Sequence, residues 1–370
     1  MPTAQSFLRT FVRCAAAVAL VVSPALLTPR PADACAFHFY APEPTVVDRL
    51  IESDHVVLAR QGEDGRYEVA ATLKDGGRTV RITEPVDAAT EAQLAANPGD
   101  GVLFAFDAAS DGIKRIAYAS AEMQQLANDV LASMDDWGSA GYDDRRFAFF
   151  AARQSSTDPE VRNLVLREID QATYPMLRSI GLTIPVEDLI ADLWTLEGYT
   201  NQPIRLLLLG VSHDARARTV IRQQVDRAVE RQWASNLGAA ATALVELDDE
   251  AGVAHLRDLF LFDPAQSVQK LEIIVEALAI HNGVGTPGVR EAIFEALQEA
   301  VDGRPEIAPL VARQFGGRQD WTQAAYLQSA MKRHRLASAS AMLPIAQYVA
   351  YAKMSGQLPR VDGSAAAGAL

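Results

Sequence analysis

One pattern recurs down the second half of this chain: an apolar helix end, a polar break, a capping residue and a fresh amphipathic stripe. Asp158 precedes Pro159 and Thr286 precedes Pro287. Both place proline at the first helical position, where its missing N–H has no partner to lose. Asp214, Asp248 or Asp249, and Asp320 hold the equivalent places. Behind Asp158 the stripe is Val161, Leu164, Val165 and Ile169; behind Thr286 it is Val289, Ile293, Ala296, Leu297 and Ala300. Each has the spacing of one helix face. From Asp214 onward the caps stand about 34 to 37 residues apart. The step from Asp158 to Asp214 is longer, with an insertion from Tyr174 to Pro203. A period of this size with two helices per unit predicts an α-solenoid over residues 121–354, each pair burying its face against the next. From residue 355 the Gly/Ala/Ser-rich tail is expected to be disordered.

Residues 35–120 carry a different period. Candidate strands are His55–Arg60, Arg66–Leu73, Thr79–Thr83, Val102–Phe106 and Ile113–Tyr118, several alternating apolar with polar residues as a half-buried strand must. Between them lie Glu63-Asp-Gly65, Asp75-Gly-Gly77, Pro98-Gly-Asp-Gly101 and Asp111-Gly112, all turn chemistry. Five strands in this span predict a small closed or partly closed barrel. Ahead of them Val46–Ile51 reads as a short helical turn capped by Thr45. The fold class expected is therefore α+β in two parts: a small five-stranded β-barrel, then an all-α solenoid.

The first 34 residues read as a cleavable secretory signal. Arg9 and Arg13 give the positive flank, and Cys14–Leu27 an apolar core too short to span a bilayer. Ala32 and Ala34 then stand where a signal peptidase reads, leaving Cys35 as the mature N-terminus. The chain is thus expected to be exported and periplasmic, with no membrane span after cleavage. Lipid anchoring through Cys35 is the lesser alternative, since Asp33 and the Pro29-Arg30-Pro31 break fit that pattern poorly. Cys14 leaves with the signal, so Cys35 alone remains and no internal disulfide forms. The net charge is −13, and three Arg and one Asp leave with the signal, so the mature chain carries −15. That excludes nucleic acid and anionic lipid as natural partners.

Through Asp158-Pro-Glu-Val-Arg162 and its echoes, the helical region resembles the HEAT and armadillo-like repeat class. The strand region resembles the OB-type barrel of netrin-like and tissue-inhibitor-of-metalloproteinase-like modules. An N-terminal cysteine there leads into a phrase like Ser53-Asp-His-Val-Val-Leu-Ala59 and a turn like Leu73-Lys-Asp-Gly76. The combined layout is similar to uncharacterised exported bacterial proteins. Those modules carry several disulfides and this chain has none, so the resemblance does not carry inhibition with it.

Chemistry is sparse. Two Ser-x-x-Lys tetrads, Ser267–Lys270 and Ser329–Lys332, lack the companion elements of penicillin-binding enzymes and lie in repeat helices. Of the six histidines, none has a His, Cys or Glu at zinc-helix spacing. Cys35 and His38 form the one tight ligand pair, a weak candidate for a soft metal. The arginines at 216, 218, 222, 227 and 231 read as a solvated face. Lys332-Arg333-His334-Arg335 is the densest positive cluster and a candidate partner-binding patch. The expectation is a non-enzymatic envelope protein, without cofactor, that offers its solenoid surface to another protein or peptide. The alternatives are an enzyme or metal-binding protein with its site at the barrel–solenoid junction, and a binder or inhibitor acting through Cys35. The intact mass of the protein purified from the periplasm is expected to match a chain beginning at Cys35, with no lipid adduct. A mass retaining residues 1–34 overturns the cleavage reading.

Overall fold

Thr45 caps the first helix, α1 (Val46–Glu52), through a reciprocal box: its hydroxyl accepts from Asp48 N, and Thr45 N donates to Asp48 Oδ2 at 2.8 Å. The structure, a computed structural model, describes residues 44–358 apart from 63, 109–111, 138–142, 197, 232–234 and 334–338. The chain divides into the units Met1–Ala34 and Cys35–Leu370. The expected signal segment with Ala32 and Ala34, the Cys35–His38 pair, and His334 with Arg335 all lie outside the described residues.

After α1 come β1 (Val56–Gln61) and β2 (Tyr67–Lys74), then helix α2 (Ala88–Ala96), β3 (Gly101–Asp107) and β4 (Gly112–Ala119). They form an open antiparallel sheet of four strands in the order β2-β1-β3-β4. Thr79–Thr83, expected as a fifth strand, pairs with no strand in this sheet. Its alternation is real, with Val80 and Ile82 half-buried and Arg81 and Thr83 exposed. Ile82 packs beneath the sheet instead of pairing along it. The Asp87-capped helix that follows, which turn signals alone did not reveal, covers the same face with Leu94. Val57, Ala59, Val102 and Phe104 point to that face, while Val56, Leu58, Leu103 and Ala105 point to the other. The two central strands are buried on both sides.

The second face belongs to the core of the helices. It meets α1 and α3 (Ala121–Ser133), and the same cluster of buried side chains continues to Leu358. Where α1 meets α4 (Asp144–Ala151) and α5 (Pro159–Ile169), the contact is ionic. Arg146 donates to Glu168 through Nε at 2.8 Å and to Asp48 through Nη2 at 2.7 Å, and the Thr45 hydroxyl donates to Glu168. Glu168 is fully buried. Burial pushes its carboxyl up to about 6, against the pull of Arg146 and Thr45.

The remaining helices are α6 (Tyr174–Arg178), α7 (Val186–Asp192), α8 (Gln202–Val211), α9 (Ala215–Glu230), α10 (Leu237–Leu256), α11 (Val268–Val284), α12 (Pro287–Gly303), α13 (Ala308–Gly317), α14 (Ala324–Lys332) and α15 (Ala339–Met354). Asp158, Asp214 and Thr286 cap α5, α9 and α12 with their side chains. The break expected at Asp248 or Asp249 falls at Asp249, whose φ 49° and ψ −129° are non-helical, so two helical stretches of α10 meet there across a kink. Helix α10 packs against α8, α9, α11 and α12, and α11, α13 and α15 continue the stack. Gly210 lets α8 approach α10 closely, since a Cβ there would stand 2.8 Å from Ala243 Cα. Trp137 and Trp321 fill inter-helix gaps against Phe149 and Tyr348, whereas Trp194 is exposed. The fold runs past Met354: Gly356 takes φ 77°, Gln357 N donates to Ala352 O, and Leu358 is buried. No described helix is long and apolar enough to cross a membrane.

Replacing Glu168 by Ala removes one of the two carboxylates that the buried Arg146 guanidinium pairs with. Urea unfolding is expected to show a loss of about 3–5 kcal/mol.

Candidate functional site

Helix α10 opens on a buried, mostly apolar run, and Glu246 is the first carboxylate to interrupt it. Glu246 follows the buried run Leu237 to Val245 and is itself 3 % exposed at the side chain. A carboxylate in that position needs donors. Tyr174 supplies its hydroxyl to Oε2 at 2.9 Å, and Arg178 supplies Nε to Oε1 at 2.9 Å. Both come from α6, which lies between the Asp158 and Asp214 caps. Arg178 Nη1 also donates to Val284 O at 2.8 Å, tying α6 to the end of α11.

Two histidines complete the group. His281 of α11 is 3 % exposed at the side chain, and its Nε2 lies 2.8 Å from Thr242 O. A carbonyl can only accept, so Nε2 carries the proton. Burial lowers the His281 pKa to about 4, leaving a neutral ring whose Nδ1 is an acceptor. That Nδ1 faces Glu246 Oε2 at 3.9 Å. The ring stands edge-to-face on Tyr174, with centroids 5.3 Å apart. Burial first, and then the Glu246 carboxylate, push the Tyr174 phenol well above its ordinary range, so it acts as a donor. His213, between α8 and α9, is 64 % exposed and holds Nε2 3.8 Å from Glu246 Oε1.

Glu246, Arg178, His281 and His213 line a cleft of about 240 Å³ together with Arg218, Leu247, Asp249, Gly285, Thr286 and Val289. Two of the three described non-glycine residues at positive φ, His213 at 51° and Asp249 at 49°, belong to it. Such backbone costs about 1–3 kcal/mol per residue and persists where surrounding packing holds it. Arg218 is exposed, as expected of that face, and is also tied back to α10: Nε pairs with Asp248 at 2.7 Å and Nη2 donates to Leu247 O at 2.8 Å. Arg222 pairs with the same Asp248, whose side chain is 6 % exposed.

The structure leaves the other candidates apart from this cleft. Ser267 is the N-cap of α11 and accepts from Lys270 N, while Lys270 Nζ donates to Val229 O at 2.8 Å and to Gln266 at 3.1 Å. That tetrad is a helix cap and a buried tether. Lys332 and Arg333 end α14, with Arg333 3.4 Å from Asp302. No group of three or more potential metal ligands occurs among the described residues. Tyr174, Arg178 and Glu246 were not singled out as site residues from the sequence. The available signal was a charged residue inside an apolar run, at Glu246 and again at His281 in Ala277-Leu-Ala-Ile-His281. Comparison with known protein families, curated proteins and solved structures finds no match.

Unfolded, the His281 ring titrates near 6.5; folded, it titrates near 4. Its contribution is complete above 6.5 and is lost as the pH falls toward 4, by about 2–3 kcal/mol. Urea midpoints measured across that window are expected to fall less in His281→Gln than in the unaltered chain.

Proposed function

We propose that this chain is an exported, non-enzymatic binding protein. Its helices form a HEAT-like α-solenoid behind a small OB-like β module, and it works by recognising another envelope protein or peptide. The observation that carries the reading is the cleft at Glu246, where α6, α9, α10, α11 and α12 converge. Concave surface built from successive helices is the usual binding face of repeat proteins. Within the cleft, Tyr174 and Arg178 hold Glu246, and Asp248 holds Arg218, so these charges are committed to one another. Such an arrangement supports shape and polarity for recognition better than an activated nucleophile. At the junction of sheet and helices, Thr45, Asp48, Arg146 and Glu168 are bonded among themselves, which supports a structural role there.

A photoreactive residue in place of Arg218, on the cleft rim, is expected to give a discrete covalent adduct in the cell envelope. The same residue in place of Glu68, exposed on β2, is expected to give none. Adducts from both positions, or from neither, overturn the cleft as the recognition site.

A further inference from the structure

The two innermost polar atoms of the cleft are both acceptors. Glu246 Oε2 is anionic and takes one hydrogen bond from Tyr174, leaving lone-pair capacity unused. His281 Nδ1 is the bare nitrogen of a buried ring, and no hydrogen bond reaches it from a described residue. Two acceptors facing each other across 3.9 Å repel unless a donor stands between them. An atom about 2.8 Å from each fits that gap, the ordinary length of a charge-assisted hydrogen bond. Polarity reverses toward the mouth. Arg178 and Arg218 are 38 % and 54 % exposed, and His213 is more exposed still. Arg178 has spent Nε and Nη1 on Glu246 and Val284, and its Nη2 remains available.

The cleft therefore presents acceptors at its floor and donors at its rim, a few ångströms apart. It is lined by two carboxylates, Glu246 and Asp249, and two guanidiniums, Arg178 and Arg218. A bare cation or a bare anion would leave that balance broken. A ligand that leads with an ammonium and trails a carbonyl or carboxylate oxygen from the adjacent carbon meets both ends. At about 240 Å³ the space takes one amino-acid residue, not a folded element. Resting on the cleft as the recognition site, we propose that it captures a free α-ammonium group. The ammonium lies between His281 Nδ1 and Glu246 Oε2, and the neighbouring carbonyl or carboxylate oxygen faces Arg178 and His213. Capture of a peptide's terminal amine is an established mode of recognition elsewhere, where backbone groups do it; here two side chains would. The group has two sources, a peptide N-terminus and a free amino acid.

Titration calorimetry on the purified mature chain separates them, using alanine, tetra-alanine amide and N-acetyl-tetra-alanine amide. Acetylation removes the ammonium and is expected to weaken binding of the tetrapeptide by about 10- to 100-fold, the worth of a hydrogen bond to a charged group. Glu246→Gln is expected to weaken it similarly. So is His281→Gln, which keeps a donor for Thr242 O and takes away the ring nitrogen that faces Glu246. Binding by the tetrapeptide alone assigns a peptide terminus, and binding by alanine as well assigns free amino acids. Histidine-ring nitrogen spectra of the unaltered chain give a readout independent of variant folding: saturating ligand is expected to shift His281 Nδ1 while Nε2 stays protonated. Equal affinity for the acetylated peptide, or an unmoved Nδ1 resonance, overturns the proposal. If no probe binds yet Arg218 still yields its adduct, the cleft remains a recognition site and the ammonium assignment falls. If both fail, the cleft reading falls with it.

Discussion

A carboxylate set in a buried, mostly apolar run of helix must be paired, and that requirement organises the middle of this protein. Helix α10 is the element around which α8, α9, α11 and α12 pack. Its apolar surface supplies much of the burial that holds them. Glu246 breaks that surface, and an unpaired charge there would cost several kcal/mol. Tyr174 and Arg178 meet the requirement from α6, and Arg178 then reaches on to Val284. One buried charge thus fixes how α6 docks on the stack. It also leaves a polar cleft where apolar packing would otherwise close.

The Arg146–Glu168 pair applies the same logic at the other end. There the charges are sealed: Glu168 is fully buried, and Thr45, Asp48 and Arg146 enclose it. The result is a tie between α1 and the first helices. The difference between the two clusters is geometric. Around Glu168 the helices close over the charges, whereas around Glu246 a cleft remains, with Asp249 and His213, both at positive φ, on its lining. Among the described residues, backbone at positive φ occurs in the second cluster and not in the first.

Much of the fold was legible in the chain itself. Asp158, Asp214 and Thr286 announced helix starts because a capping side chain satisfies a local need, and local needs are written locally. The strands at Val56, Tyr67, Gly101 and Gly112 were readable for the same reason, through alternation and turn residues. Thr79–Thr83 shows where that stops. Its alternation reports which side chains turn inward, but a strand also needs a neighbour with free backbone groups, and pairing is not local. Asp249 is a second case: the aspartates there mark the break between two helical stretches, but not that the chain crosses it by a kink at positive φ.

The sequence by itself determined the helix starts, the apolar stripes, the two contrasting periods and the odd placement of Glu246 and His281 in apolar runs. Only the tertiary structure decided that those two residues face each other, although 35 positions separate them. It also decided that a helix more than 60 positions upstream supplies their partners. The reason is that a helix face says only that something must cover it. Which side chain does so depends on how the helices stack, and the pairing of buried charge is settled by that stacking.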